Sequence, residues 1–112
     1  HQGEAADEVY DLLTEMVDSR IAPFDRPVFR FRELMDAVNV QAMSNPELRK
    51  RAKQPTIVRC LYQLGCVYSG KRDVKRDGKK IRVQAWATPD HADAMRDATP
   101  GQWHEAITRG DQ

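Results

Sequence analysis

The sequence predicts an α+β fold: a three-helix core with a short strand and a two-stranded basic ribbon over residues 4–89, then a short helical tail over 90–112. Three observations carry this prediction. Apolar residues recur at helical spacing up to Leu64. The pattern then changes to strand, tight turn, strand around an Asp77-Gly78 pair. Seven of the twenty-three residues over 67–89 are Lys or Arg.

In residues 5–19, Val9, Leu12, Leu13, Met16 and Val17 fall at i, i+3, i+4, i+7 and i+8, with Asp and Glu on the other face. That spacing predicts an amphipathic first helix. Ile21-Ala22-Pro23-Phe24-Asp25-Arg26-Pro27 reads as a turn, and Val28-Phe29-Arg30-Phe31 alternates like a brief strand. Phe31, Leu34, Met35 and Val38 then share one face of a short second helix over about 32–40.

Ser44-Asn45-Pro46-Glu47 places a capping side chain before a Pro and an acidic residue, which starts a third helical stretch. Gln54-Pro55 interrupts it. Proline lacks a backbone donor and biases its predecessor away from helix, so a break or kink is expected before Pro55. Beyond it, Ile57, Val58, Leu61 and Leu64 form an inward stripe with Cys60 at the margin, and Gly65 sits where a helix stops. Thr56, Arg59 and Gln63 face outward, with Lys53 one turn earlier.

Folding the ribbon about Asp77-Gly78 sets Val74 opposite Ile81, Asp73 opposite Arg82, and Ser69 opposite Trp86. Ile81, Val83, Ala85 and Ala87 alternate with Arg82, Gln84 and Trp86, the pattern of a half-buried ribbon with Trp86 on its outer side. His91, after Pro89-Asp90, stands at a helix start as a helix-end or exposed residue. Thr99-Pro100 caps a last helix with Trp103, Ala106 and Ile107 on one side. This helix is expected to pack back on the first helix; a docking or dimer contact is the alternative.

With 112 residues, 40% hydrophobic and 31% charged, the chain suits one globular domain with a modest core. No apolar run approaches the roughly 20 residues of a membrane span, and no signal peptide is visible, so the expected compartment is the cytoplasm. The opening His1-Gln2-Gly3 reads as a tag remnant or the start of a piece cut from a longer chain. Cys60 and Cys66 lack metal-ligand spacing, with His91 and His104 far along the chain, and are read as buried, reduced thiols. Phosphate-binding loop, nucleophile elbow and isolated carboxylate pair are all absent, so neither catalysis nor a cofactor is expected of this chain.

The net charge of +1 hides an uneven distribution. Residues 1–48 carry four Arg against ten Asp or Glu, a net of −6; residues 49–82 carry twelve Lys or Arg against two Asp, a net of +10; residues 83–112 carry two Arg against five acids, a net of −3. A clustered cationic face is the electrostatic footprint of a nucleic-acid binder. The order helix, strand, helix, helix, basic hairpin is that of a winged helix-turn-helix. In that architecture the third helix faces the major groove while the hairpin lies along the polyanion. The DNA-facing set is then Lys53, Thr56, Arg59 and Gln63 from the helix, and Lys71, Arg72, Lys75, Arg76, Lys79, Lys80 and Arg82 from the wing. Duplex DNA is the expected partner and single-stranded DNA a second one, with no membrane role. A winged helix serving a protein interface, against an acidic partner or another domain of a longer chain, and a stand-alone transcriptional repressor are the alternatives.

The run Thr56-Ile57-Val58-Arg59-Cys60-Leu61-Tyr62-Gln63-Leu64-Gly65, the Asp77-Gly78-Lys79-Lys80 turn and the closing Trp86-Ala87-Thr88-Pro89 add a resemblance. Over about residues 7–89 the chain resembles the C-terminal region of virulence-associated E family phage and prophage replication proteins. Where that family usually carries a tryptophan after the Leu-Gly pair, this chain has Cys66. The resemblance implies a DNA-binding appendage to an upstream primase-linked or helicase-type ATPase, and it does not extend to residues 90–112.

Overall fold

The computed structural model describes the backbone of residues 4–110 and the side chains of 8–109. The reading of residues 1–3 as a tag remnant lies outside the described residues. The first helix, α1 (Glu4–Asp18), buries Val9, Leu13 and Met16 completely and half-buries Leu12 and Val17, as its spacing requires. A turn leads to β1 (Val28–Phe29) and then α2 (Phe31–Gln41), whose Leu34 and Val38 are buried.

The third helical stretch is two helices, α3 (Pro46–Arg51) and α4 (Gln54–Leu64). Asn45 caps α3, its side-chain oxygen accepting from the Leu48 amide at 3.1 Å, with Pro46 in the first turn. The expected break falls at Ala52-Lys53. There the chain turns so that Pro55 enters the first turn of α4, where a missing N–H leaves no bond unmade. Among the described residues, four helices therefore come before Gly65. Ile57, Cys60 and Leu61 are buried, whereas Leu64 is only half-buried; Cys60 belongs to the core and not its margin. Gly65, in the left-handed region at φ 94°, ends α4.

The remaining strands are β2 (Val67–Tyr68), β3 (Arg72–Arg76), β4 (Lys79–Val83) and β5 (Trp86–Ala87). They form an antiparallel three-stranded sheet ordered β1-β5-β2, from which the β3–β4 hairpin projects as a separate ladder. Asp77 (φ 54°) and Gly78 (φ 76°) supply the two positive φ values of a tight two-residue turn. Val74 faces Ile81 and Asp73 faces Arg82, as the turn predicts.

Toward the base the register departs from expectation by one residue, because Tyr68 and not Ser69 faces Trp86. Between the two ladders residues 69–71 oppose only 84 and 85, so the first strand carries an extra residue and bulges. Gly70 takes the positive φ of 78° that this bulge demands. Ser69 clamps it: its amide donates to the Ala85 carbonyl and its hydroxyl accepts from the Ala85 amide, both at 2.9 Å.

Register divides the sheet into two faces. Phe29, Trp86 and Tyr68 align on one, toward α1, α2 and α4; Val28, Ala87 and Val67 align on the other. Trp86 is therefore on the side opposite Ala85 and Ala87, as alternation requires, yet it is buried because the helices cover that side. The opposite side is covered by the tail. After a 3₁₀ turn at Pro89–His91 come α5 (Ala92–Arg96) and α6 (Pro100–Gly110). Thr99 and Gln102 close α6 reciprocally, Thr99 N donating to Gln102 Oε1 at 2.8 Å and Gln102 N donating to Thr99 Oγ1 at 3.2 Å. Trp103 and Ile107 pack with Val28, Val83, Ala85 and Ala87. The expectation that α6 returns to α1 is thus corrected. The apolar stripe of α1 is used against α3 and α4, whereas the rear of the sheet offers Val and Ala side chains that need a cover.

Candidate nucleic-acid interface

All seven wing cations, Lys71, Arg72, Lys75, Arg76, Lys79, Lys80 and Arg82, are exposed. Pairing in the hairpin distributes them over both faces and not along one. Lys75, Lys80 and Arg82 share the α4 side with Asp73, while Arg72, Arg76 and Lys79 share the α6 side with Val74, Ile81 and Val83. Lys71 sits in the bulge. A ribbon charged on both faces presents cations to both walls of a groove it enters.

Two of these cations are partly occupied. Asp73 receives Arg82 Nε at 3.2 Å and Lys80 Nζ at 3.5 Å, both in exposed pairs. The Arg76 guanidinium reaches over the first turn of α6, close to Gly101, where a Cβ would meet it at 3.3 Å. That contact joins the wing to the tail on its rear side.

On α4, the residues named from the sequence occupy one side of the helix. At about 100° per residue, Arg59 stands opposite the buried Ile57–Leu61 stripe, with Gln63 and the half-buried Thr56 on the flank away from the wing. Exposed Lys53 is the N-cap residue. Arg59 and Gln63 are both exposed.

The flank of α4 that faces the ribbon carries other residues, which sequence reasoning missed. Gln54, Val58 and Tyr62 form one wall of a 510 Å³ cavity, Tyr68, Lys71, Gln84 and Trp86 a second, and Arg30, Phe31 and Arg32 a third. Of the wing and helix cations singled out in the sequence, only Lys71 lines it. Tyr68 stacks on Trp86 at 4.8 Å between ring centroids, and Tyr62 meets Trp86 edge-on at 5.1 Å. Tyr62 remains 57% exposed. Its signal was present: an aromatic residue off the apolar stripe of a helix is out of place unless something meets it there.

Cys60 and Cys66 are free and buried. Burial raises the Cys60 thiol, with the Arg59 charge pulling the other way, and burial pushes Cys66 up to about 12. Among the described residues no group of three or more His, Cys, Asp or Glu is placed to hold a metal ion, and no helix is long and apolar enough to cross a membrane. Comparison with family models, with curated proteins and with solved structures finds no match for the chain.

Proposed function

We propose that the chain is a winged-helix DNA-binding domain that inserts its β3–β4 hairpin along duplex DNA while α4 faces the major groove. The observation that carries this reading is the exposed cationic hairpin, charged on both faces and rooted beside α4. Support for the winged-helix assignment comes from connectivity: the sheet order β1-β5-β2 places the strand after α1 beside the strand leaving the wing. The major groove admits a helix or a two-stranded ribbon, and phosphates line both walls of either groove.

The division of labour follows from side-chain chemistry. Lys and Arg on a ribbon meet phosphates, which position the protein without carrying sequence information. Arg59 and Gln63 are suited to base edges, Arg pairing with guanine and Gln with adenine. The resemblance to virulence-associated E family replication proteins supports the same function in a larger setting, a DNA-binding appendage beside a primase or helicase. The Leu64-Gly65 stop, the Asp77-Gly78 turn and the Trp86 strand that carry it lie at the end of α4, the tip of the ribbon and the middle strand of the sheet.

Fluorescence anisotropy on a labelled duplex tests the proposal. Lys75→Ala with Lys79→Ala should weaken binding to every duplex about equally and flatten the log-log salt slope by about 1.8, two phosphate contacts at 0.9 each. Arg59→Ala should cost about 1–3 kcal/mol on a selected site and much less on random duplex. Absence of duplex binding at low salt would overturn the proposal in favour of a protein-binding wing.

A further inference from the structure

We infer that the cavity between α4, the sheet and the start of α2 receives an unpaired nucleotide, so that the domain prefers a duplex carrying a single-stranded tail; this rests on the duplex-binding reading above. Three features of the lining select this ligand class. Tyr62 and Tyr68 offer aromatic surface, and any base stacks on such a platform. Gln54 from α4 and Gln84 from the strand side both line it, each supplying an amide donor and acceptor suited to a base edge. Exposed Arg32 and Lys71 lie at the same cavity and suit a phosphate, and no carboxylate lines it.

The volume of 510 Å³ falls within the roughly 300–1,000 Å³ of small-ligand sites. Position matters as much as composition. Gln84 and Trp86 continue, two residues at a time, the ribbon face that bears Lys80 and Arg82, so the cavity lies at the root of the surface assigned to duplex. Asp73, paired with Lys80 and Arg82, is the one carboxylate of the ladder on that face, so a strand leaving a duplex held there meets a single neutralised acid before the cavity. An acidic peptide with an aromatic residue would satisfy the rings and cations, but it would make less use of the paired amides.

Anisotropy with three DNA probes tests the inference: a blunt duplex, and the same duplex with a three-nucleotide 5′ tail or a three-nucleotide 3′ tail. The wild-type protein should bind one tailed probe roughly ten-fold more tightly than the blunt one, the effect of a single stacked base. Tyr62→Ala should abolish that preference and leave blunt-duplex affinity unchanged, while Tyr62→Phe, which keeps the ring, should retain it. Equal wild-type affinity for all three probes would overturn the inference and leave duplex binding standing. A preference that survives Tyr62→Ala would also overturn it. Failure to bind any probe would overturn the duplex reading itself. Displacement of the tailed probe by an acidic tyrosine-containing peptide, but not by a short single-stranded oligonucleotide, would assign the cavity to a protein instead.

Discussion

Cys66 shows how a single residue records its surroundings. Almost fully enclosed after the α4 stop, its thiol ionises near 12 in the folded chain instead of at its ordinary 9.0, because burial disfavours the thiolate. A raised folded value means that the neutral thiol's contribution is complete below pH 9 and is lost as pH rises toward 12. Urea unfolding at pH 8 and pH 10.5 should therefore show a larger loss of stability in the wild-type protein than in Cys66→Ala. Parallel losses in both would contradict the assignment. That both cysteines are buried was legible because a free Cys behaves as a small core hydrophobe. The fate of Trp86 was not. Alternation tells which side of a strand a residue occupies but not whether another element covers that side, and here α4 and Tyr68 do.

Among the elements, the ribbon was legible where its own residues decide its shape. Asp77-Gly78 dictates the turn, and the turn dictates the pairs Val74 with Ile81 and Asp73 with Arg82. The bulge was hidden because its cause lies in the Ser69–Ala85 clamp, a contact between strands that no local pattern announces. The same ladder that aligns Asp73 with Arg82 also sets it near Lys80, so one carboxylate restrains two cations of the wing. Asp73→Asn should release both, strengthening binding to any duplex and steepening its salt slope by up to about 1.8 at 0.9 per phosphate. Salt titrations of the variant beside the wild-type protein would decide this. An unchanged slope would mean that Lys80 and Arg82 point away from the DNA.

In the whole molecule, two apolar clusters share one small sheet. Helices α1, α2 and α4 cover one face, and α5 and α6 cover the other, so the tail is part of the support of the wing. The sequence showed that Trp103, Ala106 and Ile107 line one side of a helix but not which surface they meet. Val28, Val67 and the Ala85–Ala87 segment are distant in the chain and form a common face only once β1, β2 and β5 pair. Trp103→Ala should destabilise the domain by about 3–5 kcal/mol, the range for large-to-alanine core changes at aromatic positions. It should also raise amide hydrogen exchange in β3 and β4 before the helices unfold. Uniform exchange across the molecule would mean that the wing stands without the tail. The claim on which the function rests is that this supported ribbon binds by neutralising phosphates. Of its seven cations, Lys71, Arg72, Lys75, Arg76 and Lys79 remain once the two held by Asp73 are set aside. The most direct measurement is duplex affinity against salt concentration: five phosphate contacts predict a log-log slope of about −4.5, and an affinity that stays flat from low to moderate salt would contradict the account.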